Sequence, residues 1–394
     1  MITELADWAA AYRPTDADDR VASTALVDTI AVTLAAEADP IVDVTAGMPE
    51  PLRWGAIGHV LDFDDVHLPS TSHVSVVCVN AVLAAGGGAR EYLAAAGVMA
   101  RLGAALGWDH YTAGWHATCT AGAPAAAVGA GLALGLDAEG LSRAMALAVP
   151  GAGGVRRAFG TSGKSLQVGF AVEAGVRAAR LVAAGATADP AALEQWFGLV
   201  GGSGAVDVGG PAVPDGLAVK LHPCCYALQR PIGAVRELRA RGVRAEDVER
   251  LTVATPESAM TPLIHHDPRT GLEGKFSMEY ALATTLLDGF PGMASFTDDA
   301  VRRSGARRLV ERTELALTPG GQDILAGDVV VTAALAGGGE ETARLRIPPG
   351  HPAAPASEDE LAAKVAACVG SERAAEVTRL DWPGAAGLLR ARFP

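Results

Sequence analysis

From the N-terminus to about residue 215 the chain runs in stretches of Ala, Leu and Val broken by Gly, with little β-branched alternation. That patterning restricts this part to helices packed closely through small residues. Helices are predicted near residues 4–12, 20–36, 74–86, 90–106, 117–134, 139–148, 164–184 and 189–197, giving an all-α domain over 1–215. After Lys220 the pattern changes. A helix near 230–240 is followed by short strand-like runs at Leu251–Thr255, Glu314–Leu317, Asp328–Leu335 and Thr342–Ile347, which predict a smaller α+β domain over 216–347. Ser357 is placed to cap an amphipathic helix from Glu358 to Cys368. The segment 348–394 is therefore expected to return to the helical domain. The expected class is mainly α, a large helical domain with a smaller α+β lid.

Composition narrows the function by exclusion. A net charge of −13 supplies no basic face for nucleic acid or an anionic membrane surface. The five cysteines, two of them adjacent at Cys224 and Cys225, fit neither a disulfide framework nor a spaced zinc pattern. A cytoplasmic location is expected, since the N-terminus carries acidic residues where a leader would be basic. The apolar stretches Ala25–Ala36 and Ala123–Leu136 fall short of the roughly 18 residues a membrane span needs.

Polar residues gather at few places. The run GHVLDFDDVHLPSTSH holds His59, Asp62, Asp64, Asp65, His67 and His73. If its start is helical, His59, Asp62 and Asp65 share a face and make a carboxylate–imidazole metal site conceivable. The plainer reading is a helix end with solvated or capping side chains. His116 precedes a small-residue helix whose N–H groups could face an anion, although a lone His beside a Trp is more often structural. Gly163-Lys164-Ser165 matches the end of a phosphate loop, but Ala158 stands where its first glycine belongs. What survives is Lys164 near a helix start, as a surface residue or a carboxylate ligand. Lys220 and His222 fall at the junction of the two patterns, where clefts form. The cysteine pair reads as packing, and His265 and His266 as exposed loop residues.

Taken in order, the segments LVDTIAVTLA, HVLDFDDVH, YTAGWHATCTAGAPAAA, GTSGKSLQVGFAVEAG, KLHPCC, EGKFSMEYALATTLLDG and GHPAAPASEDELAAKV resemble the MmgE/PrpD family. That family includes 2-methylcitrate dehydratase, cis-aconitate decarboxylase and iminodisuccinate epimerase. The resemblance covers about residues 20–370 and implies a helical domain, an α+β lid and a cleft between them. It carries catalytic roles onto Asp62, His73, His116 and Tyr280, and substrate contacts onto Lys164, Lys220 and Cys225. Cys225 departs from the histidine of cis-aconitate decarboxylases, and His73 is followed by Val-Ser instead of Pro-Ser.

The implied chemistry is abstraction of a proton α to a carboxylate. It needs cations to neutralise the carbanion and a placed base. Lys164 and Lys220 would hold substrate carboxylates. His116 and Asp62 would remove the proton or orient the base, and His73 and Tyr280 would protonate a leaving hydroxyl or the opposite carbon face. Dehydration of a small anionic hydroxy-polycarboxylate is the first expectation, with epimerisation or decarboxylation as alternatives and a non-catalytic family member as the rival class. No metal or other cofactor is expected. The apolar helical half is expected to join two copies as a homodimer.

Overall fold

The computed structural model describes the whole chain, Met1–Pro394. Helices dominate, and the expected ones form at Ile2–Ala11, Asp16–Ala35, Val74–Ala85, Ala89–Thr112, Ala117–Ala133, Ala138–Ala148, Ser162–Ala183 and Ala191–Leu199. The first core, 72 buried residues, lies among them. Its centre is the pair Ala117–Ala133 and Ser162–Ala183, which pack along their length. Small residues make this possible. A Cβ at Gly175 would sit 2.5 Å from Ala123 O, and one at Gly55 would sit 2.9 Å from Val172 Cγ2.

The sequence reading missed the helix Glu50–Val60, which packs on Ser162–Ala183. Its two glycines lower helix propensity, but they let it lie close to its neighbour. Tertiary contact therefore outweighs local preference. Also unforeseen were short helices at Asp298–Arg302, Ser304–Glu311 and Ser371–Val377, and the terminal helix Trp382–Arg392.

The smaller part carries a four-stranded sheet of β1 (Val248–Pro256), β2 (Thr313–Thr318), β3 (Val329–Leu335) and β4 (Glu340–Leu345). The order is β2-β1-β3-β4. β1 runs parallel to β2, with Val253 opposite Leu315, and antiparallel to β3, with Val253 opposite Val331; β4 returns as a hairpin. Period-2 burial of Val329, Val331 and Ala333 puts these side chains into a second core with Ile232, Val235 and Leu238 of the helix Gln229–Ala240. Val66, Tyr111, Ala117 and Phe159 of the helical part also enter this second core, so the boundary between the two parts is itself packed.

Ser357 caps the helix Glu358–Val369, its hydroxyl accepting from the Glu360 amide. That helix packs on Asp16–Ala35 and Trp382–Arg392 packs on Val74–Ala85. Val365, Cys368, Leu389 and Phe393 belong to the first core. No helix is long and apolar enough to cross a membrane.

Asp65 points into the first core, where it accepts from the amide and hydroxyl of Ser75. Burial raises its carboxyl to about 7. The folded chain thus holds this proton more tightly than the unfolded chain, whose value lies near 3.9, so Asp65 withdraws stability as pH rises from about 4 to about 7. We expect Asp65→Asn to gain on the parent across that window in urea midpoints. A stability difference that does not change with pH would contradict an ionising Asp65.

Candidate active site

The helix Glu50–Val60 ends one residue before Leu61, and Asp62 takes the left-handed region at φ 51°. This turn separates the acids that the sequence reading had placed on one helical face. Asp62 and Asp64 point into the boundary between the two parts, whereas Asp65 goes to the first core. His67 leaves as well, its ring bonded to Ser70 and to the Pro214 carbonyl. The expectation of a solvated helix end is overturned: His59, Asp62 and Asp64 are each at most 2% exposed.

Lys220 Nζ lies 2.7 Å and Lys164 Nζ 3.1 Å from Asp62 Oδ1, with His73 Nε2 at 3.5 Å. Burial alone would raise the Asp62 carboxyl, but the two lysines outweigh it and hold Asp62 far below the usual carboxylate range. Desolvation pulls Lys220 down, but Asp62 and Asp64 together outweigh it and raise the ammonium in return. His59 Nδ1 donates to Asp64 Oδ2 at 2.8 Å, and His59 Nε2 accepts from Lys164 Nζ at 2.5 Å. His73 Nδ1 lies 3.0 Å from the same Asp64 oxygen, off the line of a good hydrogen bond.

Burial pushes His59 down, His73 down to about 3, and His116 well below the usual imidazole range. All three are neutral at physiological pH. His116 stands at the position just before the helix Ala117–Ala133, without capping it through its side chain, and its Nδ1 meets Cys119 Sγ at 3.2 Å. Its Nε2, together with Asp62 Oδ2 and Asp64 Oδ1, is buried without a partner in the chain. Buried polar atoms are nearly always satisfied, so these three atoms suit a ligand.

A small cavity of about 30 Å³, partly open to solvent, is lined by Asp62, His73, Tyr111, His116, Lys164 and Cys225 among others. Burial raises the Cys225 thiol to about 12, which keeps it protonated and unsuited to nucleophilic attack. A smaller hollow beside it is lined by His59, Asp62, Lys164 and Lys275. Roomier hollows elsewhere, such as that between Asp16–Ala35 and Glu358–Val369, gather no comparable set of titratable groups.

The structure therefore brings Asp62, His73, His116, Lys164, Lys220 and Cys225 together. Tyr280 is corrected: its buried hydroxyl already donates to Ser295 O at 2.5 Å, and it does not line the cavity. Tyr111 and Tyr226 line it instead. Lys164 stands in the first turn of a helix capped by Thr161. His222 is bonded to Pro291 O. His265 is half-buried and bonds Phe159 O, while His266 is exposed as expected.

The reading missed His59 and Asp64 as site members, along with Lys275, whose Nζ donates to Leu61 O and Pro223 O at 2.8 Å each. One signal was available. Of 32 lysines and arginines only four are lysine, and Lys164, Lys220, Lys275 and Lys364 are all buried.

His59, Asp62, Asp64 and His73 have ligand atoms within 4.8 Å of one another. A divalent ion there would meet the two ammonium groups already touching Asp62. Three lysines against two aspartates leave a formal positive excess at the site, which fits an anion. Asp62→Asn should strand Lys164 and Lys220 without their counter-ion. We expect it to lower unfolding free energy by about 3–5 kcal/mol, as for other broken buried pairs, against under about 1 kcal/mol for an exposed pair. Urea denaturation measures both, and equal costs would contradict the buried pairing.

Residues 51–203 match the MmgE/PrpD N-terminal domain and residues 222–380 the MmgE/PrpD C-terminal domain. Among curated proteins, a cis-aconitate decarboxylase of Aspergillus terreus (strain NIH 2624 / FGSC A1156) is 26% identical over 289 residues, 61% of this chain and 58% of the relative. A second cis-aconitate decarboxylase of Aspergillus terreus matches with the same identity and coverage. The chain thus spans less than two thirds of the length of these relatives.

Proposed function

Because the chain belongs to the MmgE/PrpD family, we propose that it is a metal-independent lyase that dehydrates a small hydroxy-polycarboxylate of the 2-methylcitrate or citrate type. The observation that carries this reading is the convergence of Lys164 and Lys220 on Asp62 Oδ1, beside the unpartnered His116 Nε2. A carbanion α to a carboxylate places a second negative charge beside the first. Two ammonium groups fixed in a dry site counter that charge with little reorganisation. A neutral imidazole supplies the base.

In this mechanism substrate carboxylates bind Lys164 and Lys220, and Asp62 Oδ2 accepts from a substrate hydroxyl. His116 Nε2 takes the α-proton and the electron pair passes to the carboxylate as an enediolate. The pair then returns to form the carbon–carbon double bond as the β-hydroxyl departs. That hydroxyl leaves as water by taking the proton now held on the His116 imidazolium, with neutral His73 and Tyr111 placed to hydrogen-bond to it.

Decarboxylation of an unsaturated tricarboxylate is a second reading, favoured by the names of the two relatives. It passes through a related carbanion, formed as the bond to the departing carbon dioxide breaks and its electron pair is delocalised over the unsaturated acid, and quenched by a proton arriving at carbon. The homodimer formed through the helical part stands as a proposal, to be tested by light scattering.

Incubation with 2-methylcitrate, citrate and cis-aconitate in deuterated water, followed by NMR, separates the readings. We expect an unsaturated product from a hydroxy acid, with deuterium entering the α-carbon on reversal. Carbon dioxide with a deuterated product selects decarboxylation, and inversion without loss of water selects epimerisation. No conversion and no carbon-bound deuterium with any acid contradicts the proposal. Turnover should survive a strong chelator, whereas loss restored by one divalent ion would sink the metal-free reading. Lys164→Ala and His116→Ala should each lower turnover by more than about tenfold with circular dichroism unchanged. Wild-type rates in Lys164→Ala would remove it from substrate binding.

A further inference from the structure

Three consecutive carbonyls at the Asp62 turn each accept from a different buried lysine. Lys275 Nζ donates to Leu61 O, Lys220 Nζ to Asp62 O and Lys364 Nζ to Phe63 O, all at 2.8 Å. The donors come from three places: the α+β part, the junction and the helix Glu358–Val369. Lys220 and Lys364 also hold carboxylates, Asp62 at 2.7 Å and Asp28 at 2.6 Å.

Lys275 differs. It is 3% exposed, yet its Nζ contacts only the carbonyls Leu61 O and Pro223 O, with the Phe296 ring 5.0 Å away. Burial lowers it to about 8, the mark of an ammonium held without a carboxylate in contact. Such a group is unfavourable for stability, so its effect is to be sought in what it holds. Leu61 precedes Asp62, a non-glycine residue in the left-handed region that neighbouring contacts must impose. Pro223 lies in the turn that carries Lys220 and Cys225, and Cys225 N donates back to Lys275 O at 3.1 Å. One side chain therefore ties the Asp62 turn to the Lys220 turn. An arginine, with its larger planar fork, could not replace this compact donor at the crossing of two turns.

We propose that Lys275 is a positioning residue which, by holding Leu61 O and Pro223 O together, keeps the Asp62 carboxylate between Lys164 and Lys220. The proposal rests on the reading of Asp62 as part of the reaction site, but its test needs no substrate.

With only four lysines in the chain, lysine labelled with ¹⁵N at the side chain gives few signals, assignable by substitution. The full chain and its Lys275→Met variant would be titrated while the Lys220 signal is followed. In the parent, Asp62 stabilises the Lys220 ammonium. In the variant we expect the Lys220 midpoint to fall by about one pH unit, a tenfold loss of proton affinity, while circular dichroism still reports the folded helices. An unchanged midpoint in the folded variant would overturn the proposal. Should Lys275→Met not fold, Lys275→Gln, whose shorter stem cannot bridge Leu61 O and Pro223 O together, carries the same reading with the same two outcomes. A shifted Lys220 in an enzyme inactive on every polycarboxylate would uphold the clamp and refute the substrate assignment alone.

Discussion

A single carboxylate oxygen, Asp62 Oδ1, in contact with the ammonium groups of Lys164 and Lys220, organises the boundary between the two parts of the molecule. Lys164 comes from the central helix Ser162–Ala183 and Lys220 from the junction. Each group alone would be costly to bury. Their mutual attraction in a low-dielectric setting offsets that cost only while all three keep their positions. The left-handed Asp62 backbone provides one position, and the lysines on Leu61 O, Asp62 O and Phe63 O secure it. The two cores and the helix Glu358–Val369 thus meet on the turn Leu61–Phe63.

The same arrangement links stability to chemistry. A cluster with a formal positive excess, three imidazoles kept neutral by burial, and unpartnered atoms on Asp62, Asp64 and His116 stabilises the folded chain less than an apolar packing of the same volume would. It is well suited to an anion that brings its own carboxylates and acceptors. Substrate binding would then complete a hydrogen-bond set that the chain leaves open, and the lysines need little rearrangement as negative charge moves onto the α-carbon.

Much of the fold was legible because it rests on short-range pattern. The helices of the first half follow runs of small apolar residues, and the strands follow β-branched alternation at Val253 and at Val329–Val331. Glu50–Val60 was not legible: its glycines lower propensity, and its helicity comes from packing on Ser162–Ala183. The polar cluster was visible, but its geometry was not, since helical spacing groups Asp62 with Asp65 while the left-handed turn groups Asp62 with Asp64. Resemblance located Lys164, His116 and Cys225 at one cavity, and Lys220 behind it on Asp62. It failed for Tyr280, whose hydroxyl is used by Ser295 O, because a motif position does not reveal where a phenol's donor is spent. Lys275 sat within a recognised segment and went unremarked, although the scarcity of lysine in a chain rich in arginine pointed to it.

The central claim is that Lys164 and Lys220 exchange part of their hold on Asp62 for substrate carboxylates, with His116 facing the carbon that loses its proton. A crystal structure of the chain with 2-methylcitrate bound tests this most directly. The account predicts a carboxylate of the ligand within hydrogen-bond distance of both lysine Nζ atoms, and His116 Nε2 directed at a carbon-bound hydrogen next to a carboxylate. A ligand bound in this cavity with neither lysine in contact, or with His116 Nε2 directed away from the α-carbon, would contradict it.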